Sequence, residues 1–101
     1  MTRDEAIAAL KRHEAELRRR GVSHAGVFGS VARGDAGPDS DIDVLVRLDP
    51  ETAFSLWDYV AIKRRVARML GARQGRIDVI DLDGMSPHIR PSVERDAIYA
   101  L

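Results

Sequence analysis

Cysteine is absent from this chain of 101 residues, and so are long apolar runs. Without cysteine the chain can form no disulfide and can offer no thiolate to a metal, which fits a reducing compartment. No segment approaches the roughly 20 apolar residues of a membrane span, and residues 1–5 are too charged to begin a signal peptide. We therefore expect a cytoplasmic protein that does not contact a membrane.

An excess of charge of either sign is also lacking, since 16 basic residues are matched by 16 acidic ones. A balanced chain does not coat nucleic acid by bulk electrostatics, so we expect no direct nucleic-acid binding. The apolar fraction of 45% is ordinary for a folded protein. The length suits one domain covering residues 1–101, with no internal repeat.

Apolar periodicity predicts three helical segments. The first begins at a capping-box pattern formed by Thr2 and Glu5 and continues to Gly21. The second begins at residues 49–51 and ends at Gly71, with Phe54 and Trp57 on its apolar side. The third opens at residues 86–87, must break or bend at Pro91, and presents a terminal apolar face to the end of the chain.

Three short segments rich in β-branched residues predict strands at residues 22–28, 41–48 and 76–82. Polar connectors separate them at residues 34–40 and 72–75. In the second strand Ile42, Val44, Val46 and Leu48 alternate with residues of the other face. The expected fold class is therefore α/β (α+β), with a small mixed sheet of three to four strands and helices mainly on one face.

A glycine and a serine follow the first predicted strand directly. Gly29 and Ser30 end the strand and open a helical turn, which leaves backbone N–H groups and a hydroxyl available to an anion. Glycine lets a phosphate approach the backbone closely, and serine can donate one more hydrogen bond. The pattern fits a phosphate-binding turn, although an ordinary tight turn has the same residues.

Two carboxylates leave one face of the second predicted strand. Asp41 and Asp43 are separated by one residue, which places their Cα atoms roughly 7 Å apart. Such a pair can bind Mg²⁺ together with substrate phosphates, and the apolar neighbours of Asp43 argue against two solvated acids. A calcium-binding EF-hand is excluded, because the loop would need glycine at Val44 and glutamate at Pro50.

A third carboxylate is expected from the next strand. Asp78 is surrounded by apolar residues and could serve as a metal ligand or as the base that receives a hydroxyl proton. Asp81 is the competing candidate, but it points to the opposite face and lies nearer the strand end. We prefer Asp78.

The spacing of these residues resembles the signature of the DNA polymerase β nucleotidyltransferase superfamily, and specifically its minimal (MNT-type) members. The similarity rests on residues 28–34, on residues 40–46 and on residues 76–80, and it continues into residues 86–90 and 97–99. It covers most of the chain, and the long middle helix is its least diagnostic part.

The resemblance implies a role for each site residue. Gly29 and Ser30 would hold the triphosphate of ATP, and Arg33 would add charge near the phosphates. The metal ligands and catalytic acids would be Asp41, Asp43 and Asp78. Two Mg²⁺ ions are expected. In such a reaction, alignment and charge neutralisation carry most of the catalysis.

The resemblance also implies a partner. Larger relatives carry an additional domain for the acceptor, whereas few residues follow Gly84 here. We therefore expect the acceptor to be a separate HEPN-type RNase toxin, which the chain would silence as an antitoxin by transferring AMP to a tyrosine, in a homo- or hetero-oligomer. Two alternatives stay open: an antitoxin that acts only by steric contact, and a free-standing nucleotidyltransferase for a small molecule or RNA.

Overall fold

The computed structural model describes residues 2–35, 41–52, 55–71 and 77–101. In these ranges helices and strands alternate along the chain. The elements are α1 (Arg3–Arg12), α2 (Glu14–Arg19), β1 (Val22–Phe28), α3 (Gly29–Arg33), β2 (Ile42–Leu48), α4 (Leu56–Met69), β3 (Ile77–Asp81), a 3₁₀ helix (Leu82–Gly84), α5 (Arg90–Asp96) and β4 (Ile98–Tyr99). No helix of this described part is long and apolar enough to cross a membrane.

The four strands form one mixed sheet in the order β3-β2-β1-β4. Strand β1 is antiparallel to both of its neighbours, and β3 is parallel to β2. The parallel pair requires a crossover connection, which α4 provides. The expected mixed sheet is thereby confirmed.

The two faces of the sheet are covered unequally. The larger core lies under α1, α2 and α4, and β2 contributes Ile42, Val44 and Val46 to it. A smaller cluster lies on the opposite face, where Leu45 packs with Leu82 and with Val93 of α5. This arrangement confirms the alternation predicted for β2 and the expectation that helices pack mainly on one face.

The first helical segment is two helices rather than the single one predicted up to Gly21. The capping box of Thr2 and Glu5 is present, but α1 ends at His13, which also precedes α2. Leu10 and Leu17 are both fully buried. Leu10 and Leu17 are seven residues apart and therefore share one face in a single helix as well as in two consecutive helices. The periodicity consequently did not indicate the break at His13.

The second helix begins later than predicted. Ser55 caps α4 and forms a capping box with Asp58, whereas the carboxylate of Asp49 accepts a hydrogen bond from the N–H of Glu51 and closes a turn there. A capping box satisfies two N-terminal N–H groups, which a proline after Asp49 does not. Phe54, expected on the apolar side of this helix, lies outside the described residues.

The end of the chain is a strand, so the prediction of a helical face up to Leu101 is wrong. Pro91 lies in the first turn of α5, in agreement with the predicted break at this residue. The helix stops at Asp96, however, and residues 98–99 pair with β1. Gly26 makes this possible, because a Cβ at that position would lie 2.8 Å from the Cα of Tyr99. The pairing satisfies an edge of β1 that would otherwise be open.

Strand β3 is close to its prediction. It spans Ile77–Asp81, and Leu82 belongs to the 3₁₀ helix instead. Arg76, the predicted first residue of this strand, lies outside the described residues, as do the connector at residues 72–75 and most of the connector at residues 34–40.

Candidate active site

The register of the sheet places three parts of the predicted site in one row. Phe28, the last residue of β1, pairs with Asp43 on β2. Asp43 in turn pairs with Asp78 on β3. The turn that follows β1 therefore opens beside the first of two adjacent carboxylate-bearing strands.

Gly29 forms the turn and touches the carboxylate of Asp43. Its φ of +70° lies in the left-handed region, which residues with a Cβ rarely adopt. A Cβ added to Gly29 would lie 2.5 Å from Oδ2 of Asp43. Glycine is required here both for its backbone conformation and for the space that Asp43 occupies.

Helix α3 is a single short turn that begins at Gly29. Phe28 precedes it in extended conformation and gives no side-chain hydrogen bond to the first N–H groups. Ser30 is half-buried in this first turn, while Val31 and Ala32 are buried and fix the turn against the core. The first turn of α3, which contains Ser30, thus lies next to the Asp43 carboxylate.

The surroundings of Asp43 disfavour its ionised form. Partial burial raises the pKa of Asp43, the charges of Asp78 and Asp41 raise it further, and Arg33 opposes them. Two like charges act on a carboxylate that is already partly removed from water. A cation bound here would offset the burial of the Asp43 carboxylate and its repulsion by Asp78 and Asp41.

The other two acids are less enclosed. Asp41 is half-buried just before β2, and Asp78 is exposed on β3. Within the ranges that the structure describes, no three His, Asp or Glu side chains converge closely enough to surround a metal ion. Asp41, Asp43 and Asp78 therefore share a region of negative charge without forming a closed ligand cage.

Mg²⁺ does not require such a cage. It is commonly bound by one or two carboxylates together with substrate phosphates and water. The hard oxygen donors of Asp43 and its two acidic neighbours, next to the turn at Gly29, fit that mode of binding.

Arg33 lies at the end of α3 and pairs with two acids. Its Nη1 donates to Oδ2 of Asp96 on α5 at 3.0 Å, and its Nε donates to Oδ2 of Asp35 at 3.4 Å. These hydrogen bonds raise the pKa of the guanidinium, Asp96 contributing more than Asp35. Arg33 is thus oriented within electrostatic range of Asp43.

Asp81, the competing third acid, has a structural contact. Its carboxylate accepts the N–H of Asp83 and caps the 3₁₀ helix. Its own backbone N–H donates to the Tyr59 hydroxyl on α4 at 3.1 Å. It is Asp78, not Asp81, that pairs with Asp43 across the strands.

Comparison with known proteins identifies the family of this chain. The sequence profile of the nucleotidyltransferase domain matches residues 10–99. A relative from Thermococcus cleftensis, named protein adenylyltransferase MntA, is 36% identical over 98% of this chain and 96% of its own length. This chain therefore belongs to the nucleotidyltransferase-domain family.

Solved structures share the fold. One, provisionally described as a minimal nucleotidyltransferase, has a TM-score of 0.77 and 34% identity over 97% of this chain and 95% of its own. A second, in which an MNT antitoxin accompanies a tri-AMPylated HEPN toxin of Shewanella oneidensis, has a TM-score of 0.60 and 16% identity over 94% of this chain and 71% of its own. The chain is thus similar in fold to a minimal nucleotidyltransferase and in sequence to a protein adenylyltransferase.

Sequence reasoning missed the residues that orient this site from a distance. Asp35 could have been suggested by its spacing from Arg33, but nothing in the sequence points to Asp96, which is 63 residues away from its partner. The hydrogen bond between the Tyr59 hydroxyl and β3 was equally hidden, since an aromatic residue on an amphipathic helix is most simply interpreted as core.

Proposed function

We propose that this chain transfers AMP from ATP to a tyrosine of a HEPN-type RNase toxin in the cytoplasm, and so acts as an antitoxin. The observation that carries the proposal is the contact between the Gly29 turn and Asp43, with Asp78 next in the same row. It brings the turn that we propose to bind phosphate and two acids to one end of the sheet. Membership of the nucleotidyltransferase family gives that arrangement its chemistry.

In the proposed reaction a tyrosine oxygen attacks the α-phosphorus of ATP. One P–O bond forms to the tyrosine, the bond between the α-phosphorus and the bridging oxygen breaks, and pyrophosphate leaves. The N–H groups at Gly29 and the hydroxyl of Ser30 would hold the phosphates, and Arg33 would supply positive charge beside them. Asp78, exposed on the acceptor side, would receive the phenolic proton.

Asp41 and Asp43, with Asp78 as a third donor, would hold Mg²⁺, two ions being the expected number. The bound cations would neutralise the phosphates and stabilise the attacking and leaving oxygens. The contribution of the chain itself is orientation: Gly29 admits the Asp43 carboxylate to within contact of the turn, so that phosphate and acids face one another.

The protein acceptor is supported by the relatives. The Thermococcus cleftensis relative is named for adenylylation of protein. The Shewanella oneidensis structure, whose likeness extends to the fold, contains an AMPylated HEPN toxin. A HEPN-type protein encoded beside this chain is therefore the acceptor to test first.

The test is incubation of purified protein with Mg²⁺, one nucleoside triphosphate at a time and that HEPN-type protein, followed by intact mass measurement of both chains. We expect a mass increase equal to AMP on the partner, with ATP only. Asp41→Asn combined with Asp43→Asn should abolish the increase and leave complex formation unchanged.

Three results would overturn the proposal, the third in a parallel incubation with added RNA. Unchanged labelling by the double variant would remove the acids from the mechanism. No labelling of the partner with any nucleotide, while the complex still forms, would establish the steric antitoxin instead. Labelling of added RNA in place of the partner would favour a free-standing enzyme.

A further inference from the structure

A groove of about 500 Å³ lies along the β3 edge of the sheet. Ile80 and Asp81 of β3, Tyr59 of α4, and Met85 and Ile89 from the segment between the 3₁₀ helix and α5 line it, together with Gly84 and Ser86. Four of these side chains are mainly apolar: Tyr59, Ile80, Met85 and Ile89. The Tyr59 hydroxyl is already bonded to the backbone of β3.

The groove begins at the next position after Asp78 on the same face of β3. Side chains two residues apart in a strand share a face, with Cα atoms roughly 7 Å apart, so Ile80 follows Asp78 directly. Leu45, which pairs with Ile80, likewise follows Asp43 on β2. Ile80 therefore lies next to the row of acids on β3 and belongs to the lining of the groove.

The order of the sheet sets the side from which an acceptor arrives. The phosphate turn ends β1, Asp43 is on β2, and Asp78 is on β3, which is the outer strand in the described sheet. A nucleotide seated at the turn occupies the β1 side. The acceptor must then reach Asp78 across the β3 edge, where the groove lies.

The size of the apolar surface favours a protein over a small molecule. Ile89 is 55% exposed at the groove, and Leu56, which shares a helix face with Tyr59, is 72% exposed. Trp57, the next residue on that turn, is 78% exposed. Large apolar side chains left exposed on the two segments that border the groove are typical of a protein interaction surface, with aromatic residues as its strongest contributors.

We propose that the groove formed by Tyr59, Ile80, Met85 and Ile89 binds the segment of the partner protein that carries the acceptor tyrosine. The inference rests on the proposed function, because it assigns the acceptor side of the same site. Apolar residues flanking that tyrosine would fill the groove, and the phenol would reach Asp78 at its end.

The test uses two groove variants, Ile89→Glu in the groove itself and Leu56→Glu on the neighbouring face of α4 that carries Tyr59, with Tyr99→Glu as the matched control. Both positions are exposed to solvent. Tyr99 is also an exposed large side chain, but it lies on β4 at the other edge of the sheet. For each variant, AMP transfer is measured against the concentration of the HEPN-type partner, and ATP binding is measured by calorimetry with Mg²⁺. Partner binding is measured separately without nucleotide.

We expect Ile89→Glu and Leu56→Glu each to raise the KM for the partner at least tenfold and to weaken partner binding equally. The kcat at saturating partner and the affinity for ATP should stay within twofold of the wild type, as should every property of Tyr99→Glu. A wild-type KM in both groove variants would overturn the groove as the acceptor site, even with transfer intact. If the wild type transfers nothing but the groove variants still lose the partner, the proposed reaction fails and the groove survives as a docking surface.

Discussion

Gly29 and Asp43 are in contact because one of them has no side chain. The carboxylate Oδ2 occupies the place where a Cβ of residue 29 would stand, at a separation of 2.5 Å. The turn proposed to bind phosphate and the carboxylate proposed to bind metal thus fit together in a way that any larger residue at position 29 would destroy.

Gly29→Ala should abolish AMP transfer. The added Cβ would displace the Asp43 carboxylate, and the positive φ would cost roughly 1–2 kcal/mol in folding free energy. We expect a loss of at least about 100-fold in kcat/KM, since about 1 Å of misplacement can cost that much. The measurement is AMP transfer to the HEPN-type partner.

Gly71→Ala is the matched control for this variant. Gly71 has a similar φ of +75°, but nothing lies within 4 Å of the position of its Cβ. Both variants should lose the stability that a positive φ costs a residue with a Cβ, and Gly29→Ala somewhat more because its Cβ also meets Asp43, while only Gly29→Ala loses activity. Equal activity in both would show that the approach of Asp43 to the turn is not needed.

Asp43→Asn should stabilise the free protein while removing its activity. Burial and the charges of Asp78 and Asp41 raise the pKa of Asp43, so the ionised carboxylate opposes folding. This destabilisation is absent below the pKa of an aspartate in the unfolded chain, roughly 3.9, and is complete above the raised pKa of Asp43 in the folded protein. The Tm of Asp43→Asn should therefore exceed that of the wild type at pH 7, and the difference should shrink on acidification through that window.

Glu51→Gln, in an exposed turn, is the control and should leave the Tm unchanged at both pH values. Adding Mg²⁺ and ATP should raise the Tm of the wild type more than that of Asp43→Asn. A lower Tm for Asp43→Asn at pH 7 would mean that the carboxylate is satisfied by the protein alone.

Arg33→Gln should weaken ATP binding. The guanidinium is held between Asp96 and Asp35 beside the proposed phosphate site, and its loss removes positive charge there. We expect the KM for ATP to rise by about tenfold, equivalent to about 1.4 kcal/mol. The KM for the partner should not change. A change in the partner KM alone would indicate that Arg33 contacts the partner protein and not ATP.

Leu45→Ala should destabilise the protein strongly. Leu45 is fully buried in the small cluster beneath α5, where truncation removes packing and leaves a cavity. The expected loss is about 2–5 kcal/mol in the free energy of unfolding. Leu56→Ala, 72% exposed, should change it by less than about 0.5 kcal/mol in the same urea titration.

The strands that carry the site were predictable, because their signals are local. Alternation in β2 separated Asp43 from Val44, and glycine marked the end of β1. The predicted start of α4 was wrong because Asp49 and Ser55 both resemble a helix N-cap. Only the capping box that Ser55 forms with Asp58 decides between them. The choice of Asp78 over Asp81 followed from strand periodicity and agrees with the pairing to Asp43.

What the sequence could not indicate depends on contacts between distant segments. Strand β4 forms because Gly26 leaves room for the backbone of Tyr99, a relationship across more than 70 residues. The pairing of Arg33 with Asp96 and of Tyr59 with Asp81 is of the same kind. Periodicity describes which face of an element is buried, but not which other element covers it.

The pairing of β4 with β1 has a consequence during synthesis on the ribosome. Strand β1 emerges early, yet one of its edges has no partner until residues 98–99 have been translated. An unpaired edge is a template for association with other chains. The nascent protein must therefore pass through a stage in which the strand that ends at the phosphate turn is open to aggregation, and a chain truncated before Ile98 would keep that exposed edge.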